Sequence, residues 1–245
     1  MIQLLNIVLA DFSKNIVVVS TSFGFLTTSG KSADILAELS SLVVCYLIGS
    51  IPTAYLVGRF CKGIDIRQYG SGNVGATNAF RVLGKIPGTI VLLVDVLKGT
   101  IATTIVGDFF GLEHVWHRVL LAVAVVAGHN WTIFLNFKGG KGIATSLGVL
   151  IGLTIKISFL RPILLISVLI WLIIFFMSGF VSLASVVCAV VLPFLMAGFN
   201  QPLEMVVLGI IFCIFVVLRH YPNIKRLLSG KESRVDFRFR RKKLS

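Results

Sequence analysis

The sequence predicts an all-α, polytopic integral membrane protein with about seven transmembrane helices, its N-terminus outside and its C-terminus cytoplasmic. Three observations carry that expectation. The 245 residues are 56% hydrophobic and only 13% charged, whereas a soluble domain carries roughly 25% charged residues. Apolar runs of about 20 residues, the length that crosses a bilayer, recur almost to the end of the chain. The later runs are joined by pairs such as Ser178 with Gly179 and Asn200 with Gln201, as short as the turns of helical hairpins.

Taken in order, residues 1–35 form a leader whose stretch "NIVVVSTSFGFLTT" is weakly apolar and short for a span. A cleaved signal, an interfacial segment and a disordered leader all fit it. The main body, residues 36–232, opens with a continuous span over 36–60, "LAELSSLVVCYLIGSIPTAYLVGRF". A polar loop follows, then spans near 86–110, 115–135, 142–157, 162–177, 180–199 and 203–218. Glycines and Pro193 inside these runs are compatible with membrane helices, where both residue types are frequent. Residues 233–245 form a basic tail.

Charge sets the orientation. The net charge is +13, from 23 Lys and Arg against 10 Asp and Glu, and much of the excess lies between Arg219 and Lys243. Cytoplasmic segments of membrane proteins carry such an excess. The tail has no folded platform for reading nucleic acid, so a nucleic-acid partner is not expected. An inside tail places the 62–85 loop, the 136–141 turn and Ser178 with Gly179 inside as well. The turn with Asp108 and Glu113 then falls outside; Lys156 and Arg161 also fall outside, against the rule. The four cysteines, Cys45, Cys61, Cys188 and Cys213, have no C-x-x-C spacing, and three lie in apolar runs. They read as small hydrophobes rather than a metal site or disulfide framework.

Three polar strips interrupt this apolar chain, and the topology puts all three on the cytoplasmic side. The first, "YGSGNVGATNAFRVLGK", contains a G-x-G-x-x-G match from Gly70 through Gly72 to Gly75, with Asp95 about 20 residues on. A dinucleotide site needs that match inside an aqueous βαβ unit, which flanking membrane spans exclude. The second, "FKGGKGIATS", fails as a phosphate-binding P-loop because Lys141 is followed by Gly142 instead of Ser or Thr.

The physical content of both strips stands without those labels. Glycine lets backbone N–H groups approach an anion, and a helix N-terminus adds positive potential. Gly139, Gly140 and Gly142 bracket Lys141 where a span begins, with Lys138 beside them. A tight turn with snorkelling lysines would need fewer glycines. In the first strip Ser71, Asn73, Thr77, Asn78 and Arg81 supply hydroxyl, amide and guanidinium groups for a polar, phosphorylated substrate. The third strip, "LRHYPNIKRLLSGKE", holds His220 and Asn223 three residues apart and a single acid, Glu232. Asp95 and Lys98 share a helix face inside a span, where an internal ion pair is the simple reading.

The order of these pieces resembles the bacterial membrane glycerol-3-phosphate acyltransferases that use acyl phosphate as donor. The residues that carry the resemblance are "GSIPTAYLVGR" with "DIRQYGSGNVGATNAFRVLGK", then "GHNWTIFLNFKGGKGIATSLGV", then "LRHYPNIKRLLSGKE", spanning about Cys45 to Glu232. It implies seven helices, an outside N-terminus, a cytoplasmic active site and residence in the bacterial plasma (inner) membrane. The implied reaction moves a fatty acyl group from acyl phosphate to sn-glycerol 3-phosphate. Its products are lysophosphatidic acid and inorganic phosphate, in the first step of phospholipid biosynthesis. No cofactor is implied; membrane lipid surrounds the chain, and the enzyme that makes acyl phosphate is a candidate partner.

The resemblance also implies roles for residues. Ser71 and Arg81 are catalytic, with Lys141, His220 and Asn223, while Glu232 is structural. Gly70, Gly72, Asn73, Gly75, Thr77, Asn78, Lys138, Gly139, Gly140 and Gly142 bind substrate. An acyl phosphate is a mixed anhydride with a good leaving group, so positioning and charge neutralisation suffice without a covalent acyl-enzyme. His220 is either a base or an orienting donor, and both readings stay open. Carboxylates are too few for a metal-assisted reaction. No His is followed five residues later by Asp, so the His–carboxylate pair of thioester-using acyltransferases is missing. A transporter would place its cations near the bilayer midplane, often in repeated halves. A lipid phosphotransferase would need a carboxylate cluster for metal, and a membrane scaffold would not need the strips.

Overall fold

The computed structural model describes residues 30–235; the readings made for the leader before residue 30 and for the tail from 236 lie outside them. The chain divides into two compact units, 1–40 and 41–245. The first is represented by the start of helix α1 (Gly30–Ser50), and the other described elements belong to the second. They are α2 (Thr53–Lys62), α3 (Ala76–Val82), α4 (Lys85–Ile101), α5 (Gly107–Phe109), α6 (Val115–Asn130), α7 (Ile143–Lys156), α8 (Arg161–Ser178), α9 (Val181–Gly198) and α10 (Leu203–Leu228). All regular structure among the described residues is helical.

Among the described residues six segments are long and apolar enough to cross a membrane: Ile35–Lys62, Lys85–Phe109, Val115–Leu135, Ser158–Ser178, Val181–Gly198 and Leu203–Leu228. The expected seventh, α7, has 14 residues. At 1.5 Å per residue it reaches about 21 Å, short of a hydrocarbon core of roughly 30 Å. Its buried residues, Val149, Leu150 and Leu153 among them, belong to the apolar core shared with α6, α9 and α10.

Close helix contacts use glycine as the local chemistry demands. A Cβ on Gly148 of α7 would lie 1.9 Å from the Val96 carbonyl oxygen of α4, and one on Gly99 of α4 would lie 2.1 Å from that of Thr145. Small residues let membrane helices approach where apolar side chains gain nothing by leaving lipid.

Two expectations about the spans change. The run over 36–60 is not one helix: α1 ends at Ser50 and α2 starts at Thr53. Pro52 has no N–H to continue the ladder. The Ile51 carbonyl accepts both the Thr53 amide at 3.0 Å and Lys98 Nζ, which pairs with Asp95 at 2.8 Å, while Thr53 Oγ1 donates to Asp95 at 3.0 Å. The intramembrane pair is therefore a structural device that braces the break. At the other end, α10 runs to Leu228, ten residues past the expected end at 218, and carries most of the third strip as helix.

The cation placed outside against the charge rule also finds its reason. A π-helical turn at Ala102–Val106 precedes α5. Arg118 donates to the Thr103 carbonyl at 2.7 Å and to Asp108 at 2.9 Å, and Lys156 donates to the other Asp108 oxygen. Lys156 is thus a partner in a local charge cluster tying α5 and the π turn before it to α6 and α7.

Candidate active site

The first strip is shaped before it meets any ligand. Asp65 caps a short 3-10 turn (Ile66–Gln68): it accepts from the Arg67 amide at 3.0 Å and holds the Arg67 guanidinium at 2.7 Å. Hydrogen bonding from Arg67 holds the Asp65 carboxyl down at about 2. The chain then turns through Gly70 and Gly72, both at positive φ. Buried Asn78 locks this turn: its Oδ1 accepts from the Ser71 amide at 2.9 Å, and its Nδ2 donates to the Tyr69 carbonyl at 3.1 Å. A Cβ on Gly70 would stand 2.3 Å from that Oδ1, so Gly70 serves both the left-handed turn and the contact.

Gly75 precedes α3, whose opening N–H groups at Asn78 and Ala79 already bond its carbonyl. Ser71, Thr77 and Arg81 are exposed, and Asn73 is half-buried. Thr77 and Arg81, four apart, share one face of α3. Beneath lies a separate apolar cluster of Ala54, Ile66, Val74, Ala79, Leu83, Val91 and Leu135 that fixes the floor of the strip.

The second strip departs from its expected form. The amides of Gly139 and Gly140 do not stand open to an anion. They donate to the carbonyls of Asn130 (3.2 Å) and His129 (2.9 Å) at the end of α6. A Cβ at Gly139 would lie 2.1 Å from the His129 carbonyl oxygen, and one at Gly140 2.1 Å from its ring. These two glycines are needed so the strip can lie flat on α6. Gly142, at φ 79°, starts α7, whose first turn has N–H groups without helical partners. Lys138 is exposed, on the turn after Leu135.

Lys141 joins the second strip to the third. Its Nζ donates to Asn223 Oδ1 at 2.6 Å. Asn223 Nδ2 donates to Glu232 Oε1 at 2.6 Å, Ser182 Oγ to the same oxygen at 2.7 Å, and Arg226 to Glu232 Oε2 at 2.7 Å. Burial pushes Glu232 up, but these three hydrogen bonds and the Arg226 charge outweigh it and leave its carboxyl below the usual range. His220, buried, points Nδ1 at the Val216 carbonyl at 2.9 Å. A carbonyl only accepts, so that nitrogen carries the hydrogen and Nε2 is left for other work.

Electrostatics bring the first strip in. Burial lowers Lys141 to about 8; Glu232 raises it, while Arg226, Arg219 and Arg81 each lower it further. Arg81, on the first strip, is the weakest of these three influences. Arg226 pairs with the Glu232 carboxylate, Lys141 reaches the same group through Asn223, and Arg219 lies on the adjoining Gly139 and Gly140 carbonyls. Cations of the second and third strips thus outnumber the acid, a pattern that attracts anions.

Comparison with known proteins shows which family the chain belongs to. The sequence model of the family described as "Glycerol-3-phosphate acyltransferase" matches residues 39–230. The chain is 47% identical over 201 residues to Glycerol-3-phosphate acyltransferase 2 of Moorella thermoacetica, covering 82% of this chain and 98% of that one. The chain belongs to the glycerol-3-phosphate acyltransferase family. The family member of Enterococcus faecalis is 42% identical, with 83% and 94% of the two chains covered. Among solved structures the chain is similar to PlsY (YgiH), an integral membrane glycerol 3-phosphate acyltransferase. Its glycerol 3-phosphate form aligns with a TM-score of 0.73 at 38% identity, over 81% of this chain and 96% of that one. Its lysophosphatidic acid form aligns at 0.71 and 37%, over 81% and 95%. The chain is thus an acyltransferase of the membrane, as the resemblance implied.

Two residues that contact the strips, Ser182 and Arg219, are not singled out by the sequence reading. Ser182 reaches Glu232, and its signal was available, since it follows the Ser178 and Gly179 turn on the same side as the strips. Arg219 was absorbed into the basic tail. It instead donates to the carbonyls of Gly140 (2.9 Å) and Gly139 (2.7 Å).

Proposed function

We propose that the chain transfers a fatty acyl group from acyl phosphate to sn-glycerol 3-phosphate at the cytoplasmic face of a bacterial inner membrane. The products are lysophosphatidic acid and inorganic phosphate. The observation that carries this reading is the Lys141–Asn223 hydrogen bond, because it joins the second and third strips in one cation-rich centre, to which the Arg81 charge of the first strip contributes. Two phosphorylated substrates need such a centre. That one solved relative is described in a glycerol 3-phosphate form and a lysophosphatidic acid form supports the acceptor and the product. The donor rests on the resemblance and on the missing His–carboxylate pair.

In this reading Arg81 and Lys141 each neutralise one substrate phosphate. Ser71, with nearby backbone N–H groups, donates to the acyl carbonyl oxygen or orients the glycerol hydroxyl. Gly70, Gly72 and Asn78 hold Ser71 in place, with Asn73, Gly75 and Thr77 lining the same side. Gly139 and Gly140 serve by letting the second strip lie against α6, and Gly142 opens the first turn of α7 toward the substrate. The hydroxyl oxygen bonds to the carbonyl carbon, the anhydride C–O bond breaks, and phosphate leaves with its electron pair. His220 Nε2 takes the hydroxyl proton or orients the hydroxyl. Asn223 and Glu232 hold Lys141. The transfer is direct, with no acyl-enzyme and no metal. Intact mass measurement after mixing the protein with palmitoyl phosphate alone tests this. No added acyl mass is expected; a stoichiometric acyl adduct on a site residue contradicts direct transfer.

A further inference from the structure

The Gly139–Gly140 dipeptide is gripped along both edges. Its two N–H groups are spent on α6. Its two carbonyls are both taken by one guanidinium, that of Arg219 on α10. The guanidinium also lies 5.9 Å from the centroid of the Trp131 ring, whose edge-to-face partner, at 5.0 Å, is Phe215 one turn earlier on α10. Phe215, Trp131 and Arg219 therefore form a column from the apolar layer up to the strip. Asn223, one turn beyond Arg219, holds the Lys141 ammonium. Arg219 and Asn223 thus grip successive parts of the same short segment, Gly139 to Lys141, from one face of α10.

We infer that Arg219 is a positioning residue: its fork across the Gly139 and Gly140 carbonyls fixes where Lys141 presents its charge. The inference rests on the proposed phosphate-binding role of Lys141. A planar guanidinium can meet two adjacent carbonyls and an aromatic face together, and a lysine ammonium on a flexible stem cannot hold that geometry. The cation also has no carboxylate partner among its hydrogen bonds. Among the described residues it is held half-buried by the two carbonyl dipoles and the ring, which suits a rigid strut better than a charge reserve.

The test uses the full-length protein in detergent, assayed with glycerol 3-phosphate and palmitoyl phosphate, as Arg219→Lys, Arg219→Ala, Lys141→Arg and Lys141→Ala. Displacing a charge by about an ångström costs up to roughly a hundredfold in rate. Arg219→Lys is expected to lower kcat/KM by about ten- to a hundredfold, with its thermal midpoint close to that of the parent. The substrate whose KM rises should be the same one affected in Lys141→Arg. Added guanidinium should restore part of the Arg219→Ala turnover, which a purely structural loss would not show. Parent-like kinetics in Arg219→Lys would overturn the inference, as would a KM change on the other substrate. Parent-like kinetics in Lys141→Arg and Lys141→Ala would instead remove the role of Lys141 itself.

Discussion

At the scale of single residues, Lys141 is where burial, hydrogen bonding and charge meet. Its lowered pKa of about 8 comes first from burial, and the surrounding cations add to it. In the free enzyme the ammonium is lost as pH rises through about 8, so kcat/KM should fall on that alkaline limb. A bound phosphate dianion favours the charged form, so the corresponding limb of kcat should lie at higher pH. An alkaline limb absent from both profiles would contradict the phosphate role. The stability sign is the reverse. Between about 8 and the ordinary lysine value of 10.5 the unfolded chain holds a proton that the folded one has lost. Stability from this group therefore rises with pH across that window. Arg81→Ala and Lys141→Ala, each still folded, should retain below about one percent of activity, the scale of losing a positioned charge-stabilising group. Near-parent rates would sink both assignments. These residues were legible in the sequence because each sits in a polar strip that an apolar chain has no other reason to keep. Arg219 was not legible, because its partners are backbone carbonyls brought in from 79 and 80 residues away.

At the scale of elements, glycine spacing decides how closely helices meet. A Cβ at Gly148 would collide with the α4 backbone, whereas one at Gly198, near the end of α9, meets nothing within 4 Å. Gly148→Ala should therefore destabilise by about 1–3 kcal/mol or more, as overpacking does. Gly198→Ala should be neutral or gain a few tenths to about 1 kcal/mol from reduced unfolded-chain entropy. Thermal midpoints in one detergent check both, and equal midpoints would contradict the packing account. The spans themselves were legible because a water-soluble fold has little use for repeated apolar runs of bilayer length. The break at Ile51 and Pro52 was not, since the run stays apolar through it and proline is tolerated within spans. What braces the break is a distant pair, Asp95 with Lys98, which adds bonds to the Ile51 carbonyl and the Thr53 hydroxyl.

At the scale of the whole molecule, catalysis by this site requires all three strips to face one compartment. Counting spans from the basic tail predicts that arrangement, and the contact of Lys141 with Asn223 brings the second and third strips together. Cys61 offers a direct check. It is exposed at the end of α2, while Cys45 is buried and Cys188 and Cys213 are half-buried within spans. A membrane-impermeant maleimide should label Cys61 in inside-out vesicles and leave it unlabelled in sealed cells. Labelling from outside would reverse the orientation and detach the basic face from the cytoplasm.

The proposed site uses two phosphates, one on each substrate, and everything assigned to Arg81 and Lys141 depends on that pairing. The most direct measurement incubates the purified protein with radiolabelled glycerol 3-phosphate and one of three donors: palmitoyl phosphate, palmitoyl-CoA or a palmitoyl acyl-carrier-protein thioester. Lysophosphatidate formed only from palmitoyl phosphate, with one inorganic phosphate released per ester, is the result expected. Product formed from the thioesters instead would contradict the mixed-anhydride reading and the second phosphate site with it.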